Sequence, residues 1–254
     1  MPKKLLPLLQ VVEYVRAFLF GRMGWSPLNA MLIISGAFGL FKKEVVIDVG
    51  GYRSDTIGED MELTMRIHTQ YRLARKKYRI VFVPDPICWT EAPEDMATLR
   101  NQRIRWQRGL LESMFANWKL LFHYRGGWVG WAAFPFMLIF EALGPIIETL
   151  GYVFVFVLAL TGNISFQTMW VFYFATICFG ILLSVSALLL EEISFHVYTR
   201  PRQFLILLFA ILIENVGYRQ INSWWRIIGV VRWMVGQEAK WGHMKRSSAW
   251  HHHP

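Results

Sequence analysis

An α/β segment followed by an all-α transmembrane region is the fold class this sequence predicts, and three observations carry that prediction. Charged residues crowd into the first half and apolar residues into the second, so the mean hydropathy of +0.31 describes neither. No charged residue lies between Glu148 and Glu191, and Thr161-Gly162-Asn163 supplies a turn in the middle, the pattern of a transmembrane hairpin. Ahead of it, short apolar runs of strand length alternate with helical periodicities, as in an α/β layer. The 254 residues thus divide into a soluble domain over 1–125 and a membrane region over 126–254.

From Leu5 to Phe20, apolar residues recur at Leu5, Leu8, Leu9, Val12, Val15, Leu19 and Phe20 with Glu13 and Arg16 opposite. This predicts an amphipathic helix ended by Gly21, packed on the soluble domain or laid on a membrane surface. Met31-Leu32-Ile33-Ile34 has the pattern of a buried strand. It runs into Ser35-Gly36-Ala37-Phe38, whose small residues let a ligand or another strand approach the backbone. Lys43 to Val49 reads as a short helix closed by Gly50-Gly51, and Gly58-Glu59-Asp60 opens the next, running through Met61, Leu63, Thr64 and Ile67. Arg72, Arg75, Lys76, Lys77 and Arg79 form a basic cluster, read as a solvated face that leans on anionic lipid. A second strand pattern, Ile80-Val81-Phe82-Val83, ends at Pro84-Asp85-Pro86. After Trp89-Thr90-Glu91, Pro93-Glu94 begins a helix that carries Gln102-Arg103-Ile104-Arg105-Trp106.

Beyond Tyr124-Arg125-Gly126-Gly127 the solvent changes. The hairpin arms run from Thr149 to Leu160, extended backward, and from Phe166 to Leu190. Phe204 to Ile213 is apolar but short for a span of about 20 residues. Trp128 to Leu143, broken by Glu141 and Pro145, reads as an interfacial helix or a kinked span. Trp224, Arg226, Arg232, Trp233, Lys240, Trp241, Lys245 and Arg246 give the tail an interfacial composition. Basic residues in both the soluble domain and the tail place both on the cytoplasmic side of a multi-pass membrane protein and favour an even number of spans, two or four. Glu141, Glu148 and Glu214 then lie in or near the membrane, which is expensive unless each faces a polar path or a partner.

Two short stretches carry chemistry. Asp60 falls in the first turn of its helix, where unpaired N–H groups favour an ionised carboxylate; held there it can act as general base toward a hydroxyl, although acidic residues also serve as routine helix-start groups. On the later helix Gln102, Arg105 and Trp106 share one face: an amide, a planar guanidinium suited to a diphosphate and an indole suited to a sugar ring. A basic helix snorkelling into lipid through Arg103, Arg105 and Arg108 fits the same residues. The net charge of +9 fits a membrane surface better than nucleic acid, because no zinc spacing, recognition helix or aromatic RNA-binding signature accompanies it. Cys88 and Cys178 fall one in each region and define neither a disulfide framework nor a metal cluster. Glu13 and Arg16 interrupt the basic and apolar start too soon for a signal sequence, and His251-His252-His253 reads as a frayed tail.

Taken in order, these motifs resemble the membrane-embedded family 2 glycosyltransferases, the group that includes cellulose, chitin, hyaluronan and poly-N-acetylglucosamine synthases. Gly58-Glu59-Asp60 resembles the family's (T/G)ED motif, whose Asp is the catalytic base, and Gln102 to Trp106 matches its Q(Q/R)xRW motif residue for residue. Ser35, Gly36, Ala37 and Phe38 fall where the family has a small-residue loop beside the acceptor. The resemblance implies the C-terminal, acceptor side of a GT-A domain. It implies inverting transfer of a UDP-linked sugar to a hydroxyl on a growing polysaccharide or glycolipid. Asp60, with Glu59 beside it, takes the hydroxyl proton; Arg105 neutralises the diphosphate, Trp106 stacks on the acceptor sugar, and Gln102 and Arg103 belong to the same binding surface.

Mg²⁺ or Mn²⁺ is implied too, yet neither the family's early nucleotide-binding Asp nor any D-x-D triplet occurs, and too few residues precede Ser35 for the missing strands. The expectation is a fragment, the product of a split gene or a degenerate relative, inactive alone and completed by a separate nucleotide-binding half. The rival readings are a non-catalytic membrane protein that keeps the acceptor-binding surface and a lipid-binding membrane scaffold.

Overall fold

The computed structural model describes residues 1–83, 90–195, 198 and 200–237. Pro84-Asp85-Pro86, Cys88, Trp89, Lys240, Trp241, Lys245, Arg246 and the terminal histidines lie outside the described residues. The helices are α1 (Leu5–Tyr14), α2 (Gly21–Trp25), α3 (Lys43–Asp48), α4 (Glu59–Leu73), α5 (Met96–Ala116), α6 (Phe134–Phe136), α7 (Gly144–Leu160), α8 (Phe166–Phe195), α9 (Pro201–Ile213) and α10 (Arg219–Met234). Wider π-helical turns at Val15–Phe20, Val129–Ala133, Met137–Ala142 and Glu214–Tyr218 join or flank several of them.

Among the described residues no β-ladder forms, which corrects the α/β expectation. Ala30, Met31 and Leu32 are buried as the strand pattern requires, but the Met31 carbonyl accepts from His68 Nε2 of α4 at 2.9 Å and not from a neighbouring strand. The second run is held by side chains: Asn29 Nδ2 donates to Tyr78 O (3.0 Å), Ile80 N donates to Asn29 Oδ1 (2.9 Å) and Phe82 N donates to Ser26 Oγ (2.9 Å). A strand exists only with a partner, and apolar alternation cannot supply one.

Gly21 does not end the first helix. It sits at φ −63°, an ordinary helical value, and the chain continues through α2. The apolar stripe of α1 buries Leu8, Leu9 and Val12 with Leu188, Leu207, Ala210 and Ile211, so this helix packs on the apolar helices α8 and α9. α5 starts at Met96, later than the Pro93-Glu94 signal, because Asp95 is its cap and accepts from Thr98 N at 2.8 Å.

α5 links both halves. Leu110, Leu111 and Met114 join Leu32, Met65, Phe134 and Val230 in one core, while Leu99 and Ile104 join α1, α9 and Trp225 in another. Glycines set its distance from both neighbours. A Cβ on Gly58 would fall 3.2 Å from Gly109 Cα, and one on Gly229 of α10 would fall 2.8 Å from Ile104 O.

Two helical stretches, Phe166–Phe195 and Pro201–Met234, are long and apolar enough to cross a membrane. Val129–Ala142 with Gly144–Leu160, bent by 49°, makes a third if the bent pair is one span. The bend falls beside Gly144-Pro145, and Pro201–Met234 is itself broken at Val216 and Gly217, the latter at φ +107°. Each carboxylate of concern has an arginine: Glu141 with Arg226 at 3.2 Å, Glu148 with Arg219 at 3.0 Å and Glu214 with Arg16 at 2.8 Å. Arg226 also donates to Gln107 Oε1 of α5 at 2.7 Å, so this arginine of the tail turns inward and not toward lipid.

Candidate active site where α4 meets α5

The start of α4 is pressed against α5 by the Gly58–Gly109 contact, and Asp60 lies in that first turn, half-buried. Asp60 Oδ1 accepts from Met61 N at 2.8 Å. Its other oxygen faces the Ser35–Phe38 turn, where a Cβ on Gly36 would fall 2.9 Å from Oδ2; any side chain there would displace the carboxylate. Phe38 N donates to Ser35 O (3.2 Å) to close that turn, and Gly36, Ala37 and Phe38 stand exposed. Burial pushes the Asp60 carboxyl above its ordinary range, the Met61 N–H opposes this, Glu59 adds to it and Arg22 opposes it. Such a carboxylate holds a proton more firmly than one in water, the direction a general base needs.

On α5, Gln102, Arg105 and Trp106 are each half-buried along one face. Burial lowers Arg105 below its ordinary value, and the nearby Glu59 carboxylate opposes the shift. Glu59 therefore lies within electrostatic reach of both Asp60 and Arg105. Trp106 packs on Tyr14 and Phe18, ring centroids 6.4 and 6.1 Å away. Gln102 Oε1 is shielded from solvent and has no hydrogen-bond partner among the described residues.

Arg103 corrects the sequence reading. Only 3% exposed, it is neither a lipid-facing cation nor open to a substrate. Its Nη2 meets Glu13 Oε2 at 2.7 Å, its guanidinium covers the Trp106 ring at 4.6 Å, and Tyr218 OH donates to the same Glu13 oxygen at 3.0 Å. One residue along a helix turns the side chain by about 100°, here toward α1. Arg108 is likewise bound to Glu112 at 2.7 Å and to the Gln237 carbonyl.

Arg22 is the residue that sequence reading missed. Its guanidinium lies 4.4 Å over the Phe18 ring, burial lowers it to about 10, and Asp60 opposes that shift. The signal was present: Tyr14, Phe18 and Arg22 recur every fourth residue and form a stripe beside the one made by the leucines and valines. Loop 35–38, Glu59, Asp60, Arg22, Arg105 and Trp106 are thus brought into one neighbourhood. Among the described residues no three His, Cys, Asp or Glu side chains group as ligands, so Mg²⁺ or Mn²⁺ does not fit the residues present.

A family described as "Glycosyl transferase family group 2" matches residues 10–215. The chain belongs to this family. Among curated proteins it is similar to poly-beta-1,6-N-acetyl-D-glucosamine synthase of Staphylococcus aureus (strain COL), 34% identical over 115 residues that make up 44% of this chain and 26% of that protein. The protein of the same name from Staphylococcus epidermidis is 34% identical over 101 residues, 40% of this chain and 23% of its own length. The chain therefore spans about a quarter of the curated relatives it matches. No solved structure gives a significant match. In this family 2 glycosyltransferase chain, the helix that carries Gln102 to Trp106 meets Gly58 of the other motif at Gly109, three residues past Trp106.

Proposed function

We propose that this chain is the acceptor side of an inverting glycosyltransferase that extends a membrane-associated polysaccharide, with a UDP-linked sugar as donor. The observation that carries the reading is the contact of Asp60 with the Ser35–Phe38 turn, with Glu59 within electrostatic reach of both Asp60 and Arg105. An acceptor hydroxyl resting on that turn loses its proton to Asp60 as its oxygen bonds to the anomeric carbon. The bond from that carbon to the diphosphate breaks, and the leaving group departs with the electron pair. Arg105 neutralises its charge. Trp106, braced by Phe18, Tyr14 and Arg103, supplies a flat face for a sugar ring. The names of the relatives favour a β-1,6-linked N-acetylglucosamine polymer as acceptor. Donor binding falls to a separate nucleotide-binding half that brings Mg²⁺ or Mn²⁺, since no D-x-D triplet is present. The domain and tail face the cytoplasm.

Binding of a β-1,6-linked N-acetylglucosamine oligosaccharide to the purified full chain tests this. Saturable binding is expected, with Trp106→Ala weakening it by about tenfold or more, as loss of a stacking face does. Labelled UDP-sugar is expected to give no transfer until a donor-binding segment is co-expressed. Absence of oligosaccharide binding would remove the acceptor assignment, and turnover by the chain alone would remove the divided-enzyme assignment.

A further inference from the structure

The basic cluster singled out in the sequence plays no part in the reaction above, and the fold gives it a shape. Arg72, at the C-terminal end of α4, and Arg75, Lys76 and Lys77 just past it line an open cleft of about 530 Å³ together with Arg125; among the described residues no carboxylate lines it. Helix dipoles gather cations at C-termini, but here the terminal carbonyls are already occupied. Lys76 N donates to Tyr71 O (2.9 Å), Arg75 N to Arg72 O (3.1 Å) and Arg125 Nη1 to Leu73 O (2.8 Å). Lys76 pairs with Asp48 at 2.5 Å, whereas Arg75 and Lys77 have no carboxylate partner among the described residues. Arg72 and Arg125 bond only Tyr78 OH and backbone carbonyls, so four of the five lining cations have no carboxylate partner among the described residues.

Arg75 also stands at φ +55°, the left-handed position just past the helix end that glycine ordinarily fills. An arginine held there carries backbone strain of the kind that clusters at binding sites. A chain of hydrogen bonds ties the cleft wall to the core. Arg72 Nε donates to Tyr78 OH (3.1 Å), Tyr78 OH bonds His68 Nδ1 (2.6 Å) and His68 Nε2 bonds Met31 O (2.9 Å). A Cβ on Gly127 would fall 3.1 Å from Arg72 Nη1, and directly after Gly127 come the exposed rings of Trp128 and Trp131, with exposed Tyr124 on the cleft itself. Basic groups beside exposed indoles, at the step from charged to apolar sequence, are the composition of a membrane–water boundary.

We propose that this cleft binds a phosphate group carried by an anionic membrane lipid, with Arg75, Lys77 and Arg125 as its contacts. The site is independent of the sugar-transfer reading. The test is thermal unfolding of the purified full chain in nonionic detergent with added short-chain phosphatidylglycerol, short-chain phosphatidylcholine or inorganic phosphate. Phosphatidylglycerol is expected to raise Tm saturably, phosphatidylcholine to leave it unchanged, and inorganic phosphate to act only at much higher concentration. Arg75→Gly relieves the left-handed backbone, so it is expected to raise the ligand-free Tm by about 2 to 4 °C while weakening phosphatidylglycerol. Combined with Lys77→Gln, it should weaken the lipid by about tenfold or more. Lys42→Gln with Lys43→Gln, which removes equal charge from another exposed face, should leave binding unchanged. Equal loss in that control, an equal response to phosphatidylcholine, or Arg75→Gly without effect on binding would overturn the site. Inorganic phosphate saturating as tightly as the lipid would overturn the lipid as its source.

Discussion

Asp60 faces two opposed demands. Folding has placed a carboxylate where burial favours its protonated form, so the sign of its linkage is fixed: the contribution is favourable at low pH and is lost as pH rises through the raised folded value. At neutral pH the ionised group therefore works against stability. Asp60→Asn keeps the shape and the acceptor for Met61 N, and is expected to raise Tm at neutral pH, the gain vanishing in acid. In the completed enzyme the same change should lower turnover by about 10² to 10⁴-fold with oligosaccharide binding retained. A lower Tm at neutral pH, or turnover within a few-fold of wild type, would reduce Asp60 to a helix-start group. Arg103 makes the opposite case, a buried ion pair. Removing one member leaves the other charge stranded, so Arg103→Gln or Glu13→Gln should each destabilise by roughly 3–5 kcal/mol, whereas a surface cation would change stability by no more than about 0.5 kcal/mol. Unfolding of both single variants and the double variant measures the coupling, and additive small effects would show that Trp106 is held without Arg103.

Among the elements, α4 shows what local sequence can and cannot specify. Its start at Gly58-Glu59-Asp60 and the Gly50-Gly51 stop before it were legible, since each depends on residues within one turn. The same holds for Thr161-Gly162-Asn163, whose Gly162 adopts φ +75°. Met31-Leu32 was legible as buried but not as unladdered, because its hydrogen-bond partner, His68, lies on a helix 37 residues away. Arg103 was misjudged for the same reason: its partner, Glu13, is 90 residues distant. His68 yields a pH prediction at this scale. Since a carbonyl only accepts, Nε2 carries the proton toward Met31 O and Nδ1 accepts from Tyr78 OH, and burial lowers the ring from 6.5 to about 4. The unfolded chain binds the proton first, so the stabilisation is present above about 6.5 and is lost as pH falls toward 4, on the order of 3 kcal/mol in full. His68→Gln should flatten the acid limb of a Tm–pH curve over that window, and an unchanged slope would show that the ring is not buried neutral.

Across the whole molecule, charged pairs add to the apolar core of Leu8, Leu9 and Val12 with Leu207, Ala210 and Ile211 in joining the N-terminal helix to the broken apolar stretch. Arg16, in the π-helical turn that follows α1, reaches Glu214 with two hydrogen bonds (2.9 and 2.8 Å) and Ser184 of α8 with a third (2.5 Å), while Asn215 donates to Glu214 at 2.9 Å. The backbone leaves helical geometry two residues later, at Val216 and Gly217. A carboxylate is thus fixed next to the break after which α10 begins, and α10 is the helix laid along α5. The motif helix and the break are thus mechanically connected through α10. Arg16→Met strands Glu214 in an apolar setting and should lower stability by roughly 3–5 kcal/mol, whereas Arg16→Met with Glu214→Gln removes both charges and should recover most of the loss. If position alone matters, oligosaccharide binding should fall in the single variant and return in the double. Equal damage in both, measured by unfolding and by binding in the same detergent, would mean that the pair does not set the register of α10, and that α5 is held by its apolar contacts alone.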